Sequence, residues 1–125
     1  MRLREFNIQK YFASWLTNDP GNLGHILAED VYYSECYGPE YQGLQQVLKW
    51  FHDWNKRGTV LEWQIKQCIH EGNYTVVEWY FECEFDGVCD EFDGVSIVLF
   101  NSCGKIVSLK EFQSKSKHYQ PYGEC

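Results

Sequence analysis

Two stretches decide the fold: Leu61-Glu62-Trp63-Gln64-Ile65-Lys66, and Val77-Glu78-Trp79-Tyr80-Phe81-Glu82-Cys83-Glu84-Phe85. In each, large apolar residues alternate with polar ones, the period of a strand with one buried and one wet face. Glu71-Gly72-Asn73 between them and Asp86-Gly87 after them carry tight-turn chemistry, so the strands are neighbours and antiparallel. The same period continues through residues 91–101 and 105–113, separated by the turn signal Ser102-Cys103-Gly104.

Upstream of Thr59 the period changes. Ile8, Tyr11, Phe12, Trp15 and Leu16 recur at helical spacing and form one apolar stripe. Asn18-Asp19-Pro20-Gly21 ends that helix, because proline bars helix from the residue before it. A second short helix is expected over about residues 22–29, with Leu23, Ile26 and Leu27 on one side, then a brief strand over residues 30–35 that stops at Gly38-Pro39. From Gly43 to Gly58 a third helix carries Leu44, Val47, Leu48, Phe51 and Trp54, with Gly58 as its closing glycine. The order is α-α-β-α-β-β-β-β. It predicts one α+β domain over residues 1–125, with three N-terminal helices gathered on one face of a strongly curved antiparallel sheet.

Composition narrows the function classes. The chain has 125 residues with 8 Phe, 9 Tyr and 5 Trp, ample material for one core and unlike a disordered chain. Its net charge of −7 has the wrong sign for nucleic acid or an anionic membrane. Met1-Arg2-Leu3-Arg4-Glu5-Phe6 opens no uninterrupted apolar run, so a cytoplasmic protein with no membrane span is expected. The six cysteines include no C-x-x-C pair and are read as reduced thiols, Cys125 being a surface candidate for oxidation, without a metal site. No glycine-rich phosphate loop, Gly-x-Ser-x-Gly elbow or His-Glu-x-x-His motif occurs.

The element order, together with Gln9-Lys10-Tyr11-Phe12-Ala13-Ser14-Trp15-Leu16, the segment from Ala28-Glu29-Asp30-Val31 to Gly38, and Phe100-Asn101-Ser102-Cys103-Gly104-Lys105-Ile106-Val107-Ser108-Leu109, resembles the nuclear transport factor two-like superfamily. Within it the chain is most similar to the SnoaL-like and ketosteroid isomerase-like proteins. That resemblance implies a deep apolar cavity between sheet and helices, open at one end, and a homodimer formed through the sheet. It also implies catalytic positions. In the isomerases a carboxylate at the end of the first strand is the base, and a tyrosine of the first helix donates to the enolate oxygen. Glu35 and Tyr11 stand at those positions. A glutamate in an apolar cavity is expected to hold its proton toward pH ~6–7, where it can move one near neutrality. Two positions depart from the isomerases: Ser96 replaces their protonated aspartic acid, and Phe51 replaces a supporting tyrosine.

The expected walls of the cavity are Trp15, Phe51, Trp54, Trp63, Trp79 and Phe81, with Ser96, Val98 and Leu109 on the later strands. Aromatic walls suit planar ring compounds. Glu111 shares a face with Val107 and Leu109, which leaves two readings. Either it is a second interior carboxylate that divides acid and base roles with Glu35, or it pairs in solvent with Lys105 or Lys115. Tyr11 is read either as the donor or as a core tyrosine bonded to a backbone carbonyl, and Ser96 as a small strand residue. An epoxide-hydrolase Asp-Arg-Asp set is disfavoured, since Arg2, Arg4 and Arg57 fall on no cavity strand. His52-Asp53 is read as a solvated pair, because neighbours on a helix point about 100° apart.

Two functions remain. The first is a small-molecule-binding protein that moves a proton next to a carbonyl of a hydrophobic ring compound, without a cofactor, using Glu35 as base and Tyr11 as donor. The second is a non-catalytic ligand-binding or dimerisation module of the same fold, its cavity filled by its own side chains.

Overall fold

A computed structural model describes residues 2–114 and 117–123, so Lys115 and Cys125 lie outside the described residues. Helix α1 spans Arg2–Thr17 and buries Ile8, Tyr11, Phe12 and Trp15, while Leu16, expected on the same stripe, is 41% exposed. Asn18 takes a positive φ of 52° and the Asp19 carboxylate accepts from the Gly21 amide at 2.9 Å, turning the chain sharply after α1. The second helix is shorter than expected. A single 3-10 turn at Pro20–Asn22 leads into one helical turn, α2, at Leu23–Ile26. Leu27 and Ala28 are both buried and already belong to strand β1, Leu27–Ser34. A strand buried on both sides at its start has no alternation to betray it.

A three-residue strand, β2 (Glu40–Gln42), was not foreseen; it is too short to show a period and pairs with the end of β1. Helix α3 covers Leu44–Asn55 and starts at Gly43, whose φ of 89° few other residues adopt and whose amide donates to Val31 O at 2.7 Å. Gly58 does not close this helix. It opens strand β3 (Gly58–Glu71), where an added Cβ would meet the Phe85 ring at 2.7 Å and the Trp54 ring at 2.9 Å. Glycine is there for close approach. Strands β4 (Tyr74–Phe85), β5 (Val88–Phe100) and β6 (Ile106–Ser114) complete the chain of hairpins, with Asp86 and Gly87 both at positive φ in the two-residue turn between β4 and β5.

The sheet order is β2-β1-β6-β5-β4-β3, open at both edges. The expected all-antiparallel sheet is corrected to a mixed one, because β1 runs parallel to β6, with Tyr33 beside Leu109. That pair is far apart in sequence, and hairpin logic sees only consecutive strands. Register shifts between Val60 and Glu62 and between Ile65 and Gln67 bend β3, as bulges do. Helix α1 packs on β3 and α3 on β1, so the helices cover the concave face. Among the described residues no helix is long and apolar enough to cross a membrane.

Candidate functional site

Strand alternation aims Val31, Tyr33 and Glu35 of the β1 region toward the helices, and the parallel neighbour β6 presents Leu109 and Glu111 the same way. Glu111 is buried, at 9% exposure, so of its two readings the interior one describes the fold. Lys105, a partner in the other reading, donates instead to Gly24 O at 3.1 Å. The Tyr33 hydroxyl donates to Glu111 Oε2 in a short contact, and the Cys36 amide donates to Glu111 Oε1 at 3.4 Å. Behind Tyr33, Tyr11 shares a hydrogen bond with it, and Trp15 Nε1 donates to the Tyr11 hydroxyl at 3.0 Å. Trp15, Tyr11, Tyr33 and Glu111 thus form one buried polar chain from α1 to β6. The expected backbone carbonyl partner for Tyr11 is replaced by side chains.

Glu35 is half-buried at the end of β1, where the Tyr41 hydroxyl donates to its Oε2 at 2.6 Å. Burial raises its proton affinity, and the Tyr41 bond partly offsets this. Glu111 is pushed up to about 7, first by burial and then by the nearby charge of Glu35, against the lowering effect of its Tyr33 and Cys36 donors. Burial and the Glu111 charge drive the Tyr11 and Tyr33 hydroxyls far above the usual phenol range, so both stay protonated as neutral donors.

These carboxylates meet in an aromatic chamber. Its walls are Trp15, Trp50, Trp54, Trp63, Trp79, Phe81 and Phe92, with Val60, Cys36, Tyr37, Glu35 and Glu111, and its volume is about 30 Å³. That is room for one or two waters, far narrower than the deep cavity implied by the resemblance. Glu35, Tyr37 and Trp54 also line an outer cleft of about 760 Å³, with Phe85, Val88 and Asp90. Rigid rings explain the narrowing: Trp63 stacks on Phe12 at 3.9 Å, and Trp50 stacks on Tyr41 at 4.6 Å.

Five expected positions do not line the chamber. Phe51, Val98 and Leu109 are buried in the core, and Tyr11 acts one hydrogen bond behind the wall. Ser96 accepts from Trp79 Nε1 at 2.9 Å, which fixes that ring. Gly94, the cross-strand partner of Trp79, leaves the ring its place, since a Cβ there would lie 2.3 Å from it. Reading the sequence missed Tyr33, Tyr41 and Phe92. Tyr33 carried a signal, since it stands two residues before Glu35 on the same strand face. His52 and Asp53 are both exposed. Among the described residues no group of His, Cys, Asp and Glu is placed to hold a metal ion.

The comparisons bear on family and fold. A family model described as a SnoaL-like domain matches residues 8–109. Among curated proteins, none matches the chain's sequence. Solved structures do match. A hypothetical protein with a ketosteroid isomerase-like fold from Catenulispora acidiphila, in complex with trimethylamine, is 17% identical with a TM-score of 0.75, over 85% of this chain and 83% of that one. A putative polyketide cyclase from Xanthomonas campestris is 16% identical with a TM-score of 0.72, over 89% and 90%. An epoxide hydrolase from M. tuberculosis is 12% identical with a TM-score of 0.79, over 90% and 84%. Identities this low speak for the fold alone. With the family model spanning most of its length, the chain belongs to the SnoaL-like family, on the nuclear transport factor two-like fold.

Proposed function

We propose that this protein binds a small hydrophobic carbonyl compound and moves a proton beside the carbonyl without a cofactor, using Glu35 as base and Glu111 as acid. The observation that carries the reading is the pair of carboxyl groups on one aromatic chamber, with Glu111 held near neutrality at about 7. The ionised Glu35 takes a proton from the carbon next to the carbonyl. That C–H electron pair becomes a C=C bond, the carbonyl π pair moves to oxygen, and the Glu111 O–H gives its proton to that oxygen. Return of both protons, with Glu35 delivering to the same or a conjugated carbon, restores the enzyme. The step balances with the two carboxyl groups alone. Tyr11, expected to be the direct donor, is a positioning residue that acts through Tyr33. The chamber admits only the reacting group, so the ring of the ligand lies in the outer cleft.

The test needs no native substrate. Exchange of the α-hydrogens of cyclohexanone in heavy water, followed by proton NMR, is expected to run faster with the protein than with buffer. Glu35→Gln is expected to lower that gain by ~10²–10⁴-fold, the usual contribution of a positioned base. An unaccelerated exchange across a ketone panel overturns the catalytic reading.

A second reading is a non-catalytic binding module of the same fold, and the chamber of about 30 Å³ favours it. In either case we propose a homodimer through the outer sheet face. Ile69, Val76 and Ile97 align there across three strands, and Phe112, beside Val95, is 50% exposed. Sedimentation equilibrium is expected to give twice the chain mass, and Phe112→Glu to give one.

A further inference from the structure

Three tryptophans are buried in this core, and their indole N–H groups differ. Trp15 Nε1 donates to the Tyr11 hydroxyl at 3.0 Å and Trp79 Nε1 to Ser96 Oγ at 2.9 Å. Trp63 Nε1 is buried with no protein acceptor in reach, although the residue is only 8% exposed. A buried donor left so costs ~1–3 kcal/mol, and native proteins rarely keep one without a use.

The position of Trp63 suggests that use. The ring is hemmed in by four others: it stacks on Phe12 at 3.9 Å and meets Tyr11, Trp79 and Phe81 in T-shaped contacts at 5.9, 5.7 and 5.2 Å. It therefore cannot swing to find a partner. It lines the same chamber as Glu35 and Glu111, whose walls include no Lys, Arg or His. Of the buried indoles on that wall, Trp15 and Trp79 use their N–H groups within the protein, and Glu35 and Glu111 offer only acceptor oxygens once ionised, so the Trp63 N–H is a neutral donor left unused beside them.

We infer that the Trp63 indole N–H receives an oxygen of the ligand, which makes acceptor oxygens, above all a ketone or aldehyde carbonyl, the group this chamber selects. This rests on reading the chamber as the ligand site, and it does not depend on the catalytic half of that reading. An indole N–H is a neutral donor that never ionises at ordinary pH. It holds the oxygen above pH 7 as well, where Glu111 has lost its proton, and it occupies the role for which Ser96, turned to Trp79, is not free.

The test compares cyclohexanone with methylenecyclohexane, which has the same shape but no acceptor oxygen. The indole N–H signals of wild-type protein are followed in nitrogen–proton correlation spectra, with Trp63 assigned by its contacts to the Phe12 ring, so no variant has to fold. Cyclohexanone is expected to move the Trp63 N–H downfield, and methylenecyclohexane to leave it in place while shifting the signals of neighbouring tryptophans. Trp63→Phe is expected to weaken the ketone by roughly tenfold and the alkene by much less. Equal shifts from both probes, or equal weakening, overturn the inference and leave the site reading standing. If neither probe moves any tryptophan signal, the site reading itself fails, and the inference with it.

Discussion

Around α2 and the starts of β1 and β6 the core is aliphatic, built from Leu23, Ile26, Leu27, Val31, Val47 and Ile106, all fully buried. Around the chamber it is aromatic, built from seven tryptophan and phenylalanine rings, with two carboxyl groups among them. Branched aliphatic chains interdigitate until no space is left. Rigid rings meet at edges and angles, as Trp15 does with Trp54 at 5.5 Å and 84°, and leave a gap where they fail to mesh. One region is thus a device for stability. The other gives up some packing to keep Glu111 dry, and dryness is what brings its proton near neutral pH.

That contrast predicts where a deletion is felt most. Ile106→Ala removes a fully buried side chain from the aliphatic region, and its expected cost is about 2–5 kcal/mol in urea unfolding. Ketone binding by the folded remainder is expected to be unchanged. A variant that lost binding in proportion to stability would show the two regions to be one cooperative packing unit, and the comparison would break.

The second effect concerns pH. Folding raises the proton affinity of Glu111 from the ordinary carboxyl value near 4.5 to about 7, so the native state holds its proton more tightly than the unfolded chain. Stability from this group is therefore greatest below pH 4.5, falls as pH rises toward 7, and is level above it. The full drop is about 3 kcal/mol by linkage. Unfolding midpoints measured from pH 4 to 8 are expected to show it in the wild type and to lack it in Glu111→Gln, where Glu35, raised in the same direction, leaves its own part of the slope. Identical slopes in the two proteins would mean that Glu111 titrates in water, and the aromatic region would lose its distinguishing property.

The regions were also unequally legible in the sequence. Period two in β3 and β4 and helical period in α1 and α3 follow from which face of an element is buried, a local property that any reader of the chain can count. The parallel pairing of β1 with β6 is not local, and with it goes the neighbourhood of Glu111, since Tyr33 reaches that carboxylate only through this pairing. Spacing alone admits both a Glu111 that pairs with Lys105 or Lys115 in solvent and an interior one, and by itself it favours the solvent pairing. Phe51, Val98 and Leu109 were assigned to the cavity because they are apolar and inward, but inward residues are shared between core and wall, and only ring geometry divides them. The position of Glu35 was available from the family resemblance. The position of Tyr41 was not, because β2 is too short to announce itself.

The smallest effect is the sharpest for the base. Tyr41 stacks on Trp50 at 4.6 Å and 14°, a contact that phenylalanine keeps, so Tyr41→Phe removes little besides the hydroxyl. That hydroxyl donates to Glu35 at 2.6 Å and favours its ionised form. Without it Glu35 holds its proton to higher pH, and a base that must be ionised to act becomes available later on a rising pH scale. The acid limb of ketone α-hydrogen exchange is therefore expected to move to higher pH in Tyr41→Phe, with the rate on the plateau nearly unchanged and stability altered by no more than about 1 kcal/mol at this half-buried site. The opposite limb, which reports the loss of the Glu111 proton, is expected to stay where it was. If the acid limb holds its place and the other moves, the roles are exchanged: Glu111 is the base, and the buried aromatic region rather than the mouth supplies the group that takes the proton.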